Sequence, residues 1–182
     1  MSHGLEVPSH VAGPVPRALV PLARLLGGVN RMVIVAGMLA LLAAAAILTY
    51  SVVTRYFLKS ATDWQDEASV FLLVGATFLC GAYVQSYRGH IGIEALSSIL
   101  PPPVNRVRMM LVDILTLAFC VFFAWKSWTL FHEAWVDNQT SSSSWAPPLS
   151  IPYGLMAAGM TLLSLQLLLQ SLTHFFRAKD TK

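Results

Sequence analysis

Four apolar runs, near residues 33–53, 68–87, 109–130 and 151–172, leave this chain one class of fold, because almost all of its charge lies between them. About 20 mostly apolar residues match the hydrocarbon thickness of a bilayer. In hydrocarbon every backbone polar group must be paired internally, so such runs become helices. The first two runs contain no Asp, Glu, Lys or Arg. The expected fold is an all-α integral membrane protein with four transmembrane helices.

Composition agrees: 55% of the 182 residues are hydrophobic and 12% charged, against about 25% charged in soluble domains. A net charge of +3 would suggest nucleic acid in a soluble protein, but here the basic residues flank apolar runs. That placement points to membrane topology and anionic lipid, not to nucleic acid. Cys80 and Cys120 both fall inside apolar runs and read as small buried hydrophobes. No paired Cys-x-x-Cys spacing, P-loop or catalytic constellation is present, so neither an enzyme nor a bound cofactor is expected.

Residues 1–16, with Pro8, Pro14 and Pro16, read as a disordered tail. Arg17, Arg24 and Arg31 recur every seven residues among leucines and valines, so 17–31 reads as a basic amphipathic juxtamembrane helix lying in the headgroup region. The four-helix transmembrane domain then occupies 32–173, and 174–182 forms a tail. The first apolar run is too long for a signal-peptide core and is expected to be retained as a span. A second interfacial helix is expected at 91–100, stopped by Pro101-Pro102-Pro103.

Charge sets the orientation. Nine Lys or Arg lie in the N-terminal segment, the second connector and the C-terminal tail, and three in or beside the other two connectors. This bias places both termini in the cytoplasm. Asp63, Asp66, Glu67, Glu133 and Asp137 collect on the opposite side.

Small residues at spacing four, Ala36-Ala40-Ala44, Thr77-Gly81 and Gly154-Ala158, suggest helix packing faces. Asp113 and Lys126 are separated by twelve uncharged residues of the third run, an offset of about 20 Å on a helix. Lys126 can snorkel to the interface. For Asp113 two readings stand: a proton or cation relay, or a carboxylate near the cytoplasmic boundary paired with Arg106 or Arg108. Gln166 and Gln170 share a face of the fourth run and suit interhelical hydrogen bonding. His90 and His132 lie at span ends on opposite sides, so one haem cannot use both. No broken span recurs in matching positions and no cluster of buried carboxylates appears, the usual equipment of an independent transporter.

The connectors carry a resemblance. Arg55-Tyr56-Phe57, Trp64-Gln65-Asp66-Glu67 opening the second span, Gly81, Arg88, His90-Ile91 and the prolines after a short amphipathic stretch together resemble the small, DctQ-like membrane subunit of the tripartite ATP-independent periplasmic (TRAP) transporters. The likeness covers about residues 30–172. Ser144-Trp145-Ala146-Pro147-Pro148-Leu149, with Ile151-Pro152 and Leu165-Gln166, is similar to the subgroup labelled mannitol/chloroaromatic compound type.

The resemblance implies a multi-pass protein of the bacterial inner membrane with two protein partners. A periplasmic solute-binding protein delivers a small substrate, often an organic acid. A large permease subunit carries the path and the coupling ion, usually Na⁺. The small subunit is the scaffold beside it. Arg55, Trp64 and Glu67 become candidates for the subunit or binding-protein interface, with Glu67 able to pair with Arg55. Arg88, His90 and Arg106 become candidates for cytoplasmic subunit or lipid contact. Two other classes fit four spans: the membrane anchor of a redox enzyme, and a small autonomous channel or exchanger.

Overall fold

A computed structural model describes residues 20–60, 63–86 and 102–180. Helix α1 is Val20–Val53 and runs on into a π-helical turn, Thr54–Leu58, that ends at Lys59 with φ 48°. Helix α2 is Asp63–Ser86, α3 is Pro102–Val136 and α4 is Ser150–Asp180. All four carry stretches long and apolar enough to cross a membrane. Pro102 and Pro103 stand in the first turn of α3, where a missing N–H costs no helical hydrogen bond.

The helices form an open layer. α1 packs on α2, α2 on α4 and α4 on α3, giving the spatial order α1–α2–α4–α3. Burial follows that order: 11% of the most apolar stretch of α1 and 17% of that of α3 are buried, against 39% for α4. The edge helices therefore keep most of their apolar surface outside the chain. Leu39, Leu42 and Val52 on α1, and Leu115, Phe119 and Trp125 on α3, are exposed. The core is the α3–α4 seam, where Cys120, Ala124, Met160 and Leu167 meet, with Phe78 of α2 packed against it.

Lipid tails are as apolar as leucine, so close packing and polar contacts must hold the layer together. On α1 the buried positions Asn30, Gly37, Ala44 and Ser51 recur every seven residues. A seven-residue repeat keeps one seam facing an antiparallel partner. This corrects the small-residue stripe expected on α1: Ala44 faces α2, but Ala36 is exposed and Gly37 is the contact. Thr77 likewise faces outward, and Gly75, Ala76 and Ala82 are the buried small residues of α2. On α3 the seam is Cys120, Ala124, Ser127 and Ala134.

Two glycines set the tightest crossings. A Cβ on Gly37 would lie 2.2 Å from the Cys80 sulfur, and one on Gly159 would lie 2.5 Å from the backbone carbonyl of Phe78.

The basic N-terminal segment also differs from the expectation. From Val20 it continues in line with the first span as the opening turns of α1, and Leu26 and Asn30 are buried against protein. Asn30 donates to Gln166 of α4 at 3.2 Å, which ties this segment to the layer. The expected helix at 91–100 lies outside the described residues.

Candidate functional site at the acidic end

The first turn of α2 carries Asp63 and Asp66, where the positive end of the helix dipole favours carboxylates, and Glu67 follows directly. Successive helical residues are turned by about 100°, so Asp66 and Glu67 serve different neighbours.

Asp66 faces α1. Its Oδ2 accepts from Arg55 Nη2 at 2.8 Å and its Oδ1 from Ser51 Oγ at 3.3 Å. The π-helical turn carries Arg55 to this position, and from its first residue Thr54 Oγ1 donates to the Tyr50 carbonyl of α1. The expected pairing of Arg55 with Glu67 is thus corrected: the acid one residue earlier lies on the α1 side. Both partners are half-exposed, which limits such a pair to about 1 kcal/mol. A cleft of about 440 Å³ opens beside them between Leu48, Val52 and Tyr56.

Glu67 faces the α3–α4 loop. Its Oε1 accepts from Ser141 Oγ, while Asp63 Oδ2 accepts from Ser144 Oγ at 2.5 Å. The loop is folded to make those contacts. Asn138 and Ala146 take left-handed conformations at φ 47° and 45°. Across the loop Leu149 N donates to the Gln139 carbonyl at 2.9 Å and Ser141 N to the Pro147 carbonyl at 3.0 Å. The loop is a closed, serine-rich lobe clipped to the first turn of α2. Trp64 and Trp145, both about half-exposed, flank a cleft of about 320 Å³ that Asp63 and Ser144 complete. Gln65 is fully buried.

The other end of the layer holds its helices by amides. Gln85 Nε2 donates to Gln170 Oε1 at 3.0 Å, and Gln170 Nε2 donates to the Gln85 carbonyl at 2.9 Å. With the Asn30–Gln166 bond, these contacts join α1, α2 and α4. Asp113 is half-buried on α3 and is not a free carboxylate. Lys126 is exposed, its ammonium 5.2 Å from the Trp125 ring. Arg88 and His90 lie outside the described residues; Arg106 stands in the second turn of α3.

Sequence reasoning missed Ser141, Ser144 and Asn30. Four consecutive serines before a tryptophan, facing an acidic helix start across the same side of the membrane, were the available signal for the first two. Asn30 had one too: it sits seven residues before Gly37 on the seam.

A sequence profile described as "Tripartite ATP-independent periplasmic transporters, DctQ component" matches residues 44–177, which takes in the α2 acidic turn and the serine-rich lobe. The chain belongs to the DctQ family. It is a small permease subunit of a TRAP transporter, a multi-pass membrane protein and a transporter component, not an enzyme. A TRAP transporter small permease protein of Haemophilus influenzae is 25% identical over 118 residues, 64% of this chain and 69% of that one. The C4-dicarboxylate TRAP transporter small permease protein DctQ of Vibrio cholerae is 23% identical over 147 residues, 69% of this chain and 63% of its own length. The matches thus span about two thirds of these relatives. No solved structure matches the chain. Among the described residues of this DctQ protein, no three His, Cys, Asp or Glu side chains group to hold a metal ion.

Proposed function

We propose that this subunit is a fixed scaffold: it holds a large permease subunit in the bacterial inner membrane and contains no transport path of its own. The observation that carries this reading is the open layer, whose two edge helices leave most of their apolar surface for other protein or lipid. A chain that carried substrate would need a polar route through the membrane. Among the described residues the Asn30 amide nitrogen, Gln85, Gln166 and Gln170 bond one helix to another.

In the working transporter a periplasmic solute-binding protein delivers a small organic acid, and the large subunit couples its uptake to an ion gradient, with Na⁺ the expected ion. The Vibrio cholerae relative's C4-dicarboxylate label fits that substrate class. The acidic end faces the periplasm and both termini face the cytoplasm, as the excess of basic residues on the opposite side directs. Arg55 and Trp64 present the exposed part of that end. Glu67, clipped to Ser141, acts on any docking partner through the shape of the loop.

Affinity purification of the full chain from membranes that also contain the large permease tests the reading. The two subunits co-elute at a fixed ratio in mild detergent if it holds. Elution of this chain alone from membranes rich in the large subunit refutes it. A reporter joined after Lys182 that works only in the periplasm refutes the orientation.

A further inference from the structure

The cleft at the start of α2 has a composition that the scaffold role does not use. It is about 320 Å³ in volume and is lined by Asp63, Trp64, Ser144 and Trp145. Two indoles and one carboxylate are the groups that recognise an organic ammonium ion, the ring faces by cation–π attraction and the carboxylate by charge. Among the described residues Asp63 has no cationic partner: its Oδ2 accepts from Ser144, and Oδ1 remains for a ligand. The neighbouring acid differs, since Asp66 is already occupied by Arg55. Both tryptophans remain about half-exposed, Trp64 in the first turn of α2 and Trp145 on the loop beside it, at the end of a span where indoles settle among lipid headgroups.

We propose that this cleft binds the ammonium group of a zwitterionic phospholipid in the leaflet at the acidic end. The surface below it favours a lipid over other amines. Asp66, in its pair with Arg55, and then Val70, Leu73 and Thr77 follow Asp63 down one side of α2 at helical spacing, all exposed. Beyond that ion pair Val70 and Leu73 carry the strip into the hydrocarbon, where the acyl chains of a headgroup held at Asp63 would lie. The serine-rich lobe supplies the second wall, so the Asp63–Ser144 bond shapes the site as well as clipping the loop. The inference goes beyond the scaffold reading and does not depend on which side of the membrane the acidic end faces.

Native mass spectrometry of the full chain in detergent, titrated with phosphatidylethanolamine or phosphatidylglycerol of matched acyl chains, tests it. Wild-type protein should retain phosphatidylethanolamine at least about fivefold more strongly, the worth of one exposed cation–π contact with a carboxylate nearby. Asp63→Asn should remove most of that preference and Trp145→Leu should weaken it, while Trp145→Phe keeps the larger part. Unchanged thermal unfolding of the variants separates loss of the site from loss of the fold. Equal retention of the two lipids by wild type overturns the proposal. Displacement of the lipid by free phosphoethanolamine at equal concentration overturns it in favour of a soluble amine. An unaltered lipid preference in Asp63→Asn, with loss of co-elution of the large subunit, overturns it in favour of a protein amine. Loss of co-elution with the lipid preference intact in wild type and abolished in Asp63→Asn supports a lipid held at the subunit boundary.

Discussion

The centre of the layer and its α1 edge use the same device, a glycine where two helices cross, but the glycines meet different things. Gly159 lies against the Phe78–Leu79 backbone, whereas Gly37 lies against the Cys80 side chain. Backbone can yield only by moving a whole helix, while a thiol can rotate. The centre therefore sets the geometry of the subunit, and the edge can adjust to what packs beside it. Burial points the same way, with α4 the most enclosed helix and α1 the least.

The most damaging way to break this contrast is Gly159→Val. Its side chain must enter the space of the α2 backbone, so α2 and α4 separate; overpacking on that scale costs about 3 kcal/mol or more. Unfolding in mixed micelles should show it, and a loss below about 1 kcal/mol would mean the crossing is loose. Gly37→Ala should cost about 1–2 kcal/mol. Adding Cys80→Ala should recover most of that loss, and a double-mutant cycle with no coupling would contradict the contact.

Polar contacts rank lower. Gln166→Leu should cost about 0.6–1.7 kcal/mol, the range of intramembrane hydrogen bonds, and should loosen the N-terminal turns of α1 in hydrogen exchange. At the acidic end Glu67→Ala should raise amide exchange across 137–149 about tenfold while Glu67→Gln, which keeps an acceptor for Ser141, changes it little. Arg55→Ala should cost the least, at most about 1 kcal/mol and less in high salt. A larger, salt-independent loss would show that Asp66 is more enclosed than its exposure indicates.

The four helices and their order along the chain were legible because uninterrupted apolar length leaves the backbone no alternative in a bilayer. The seams were less so. Ala36, Ala40 and Ala44 satisfy a four-residue rule, but the pairing follows a seven-residue repeat through Gly37, which a scan at spacing four cannot see. The charge map had the same limit. It placed Arg55 and the acids at one end, but one helical step decides whether Asp66 or Glu67 faces α1, and that depends on the rotation of α2 in the layer. The lobe at 137–149 was legible only as a loop, since its shape comes from hydroxyls reaching a helix far away in sequence.

Burial low at the edges and high at the centre is what a subunit completed by a neighbour should show. Uptake into proteoliposomes tests that claim most directly, using the substrate retained by the partner binding protein. Uptake should occur with the large subunit, binding protein and this chain together, at least about tenfold less without this chain, and not at all with this chain alone. Gradient-driven uptake by liposomes containing this chain alone would contradict it.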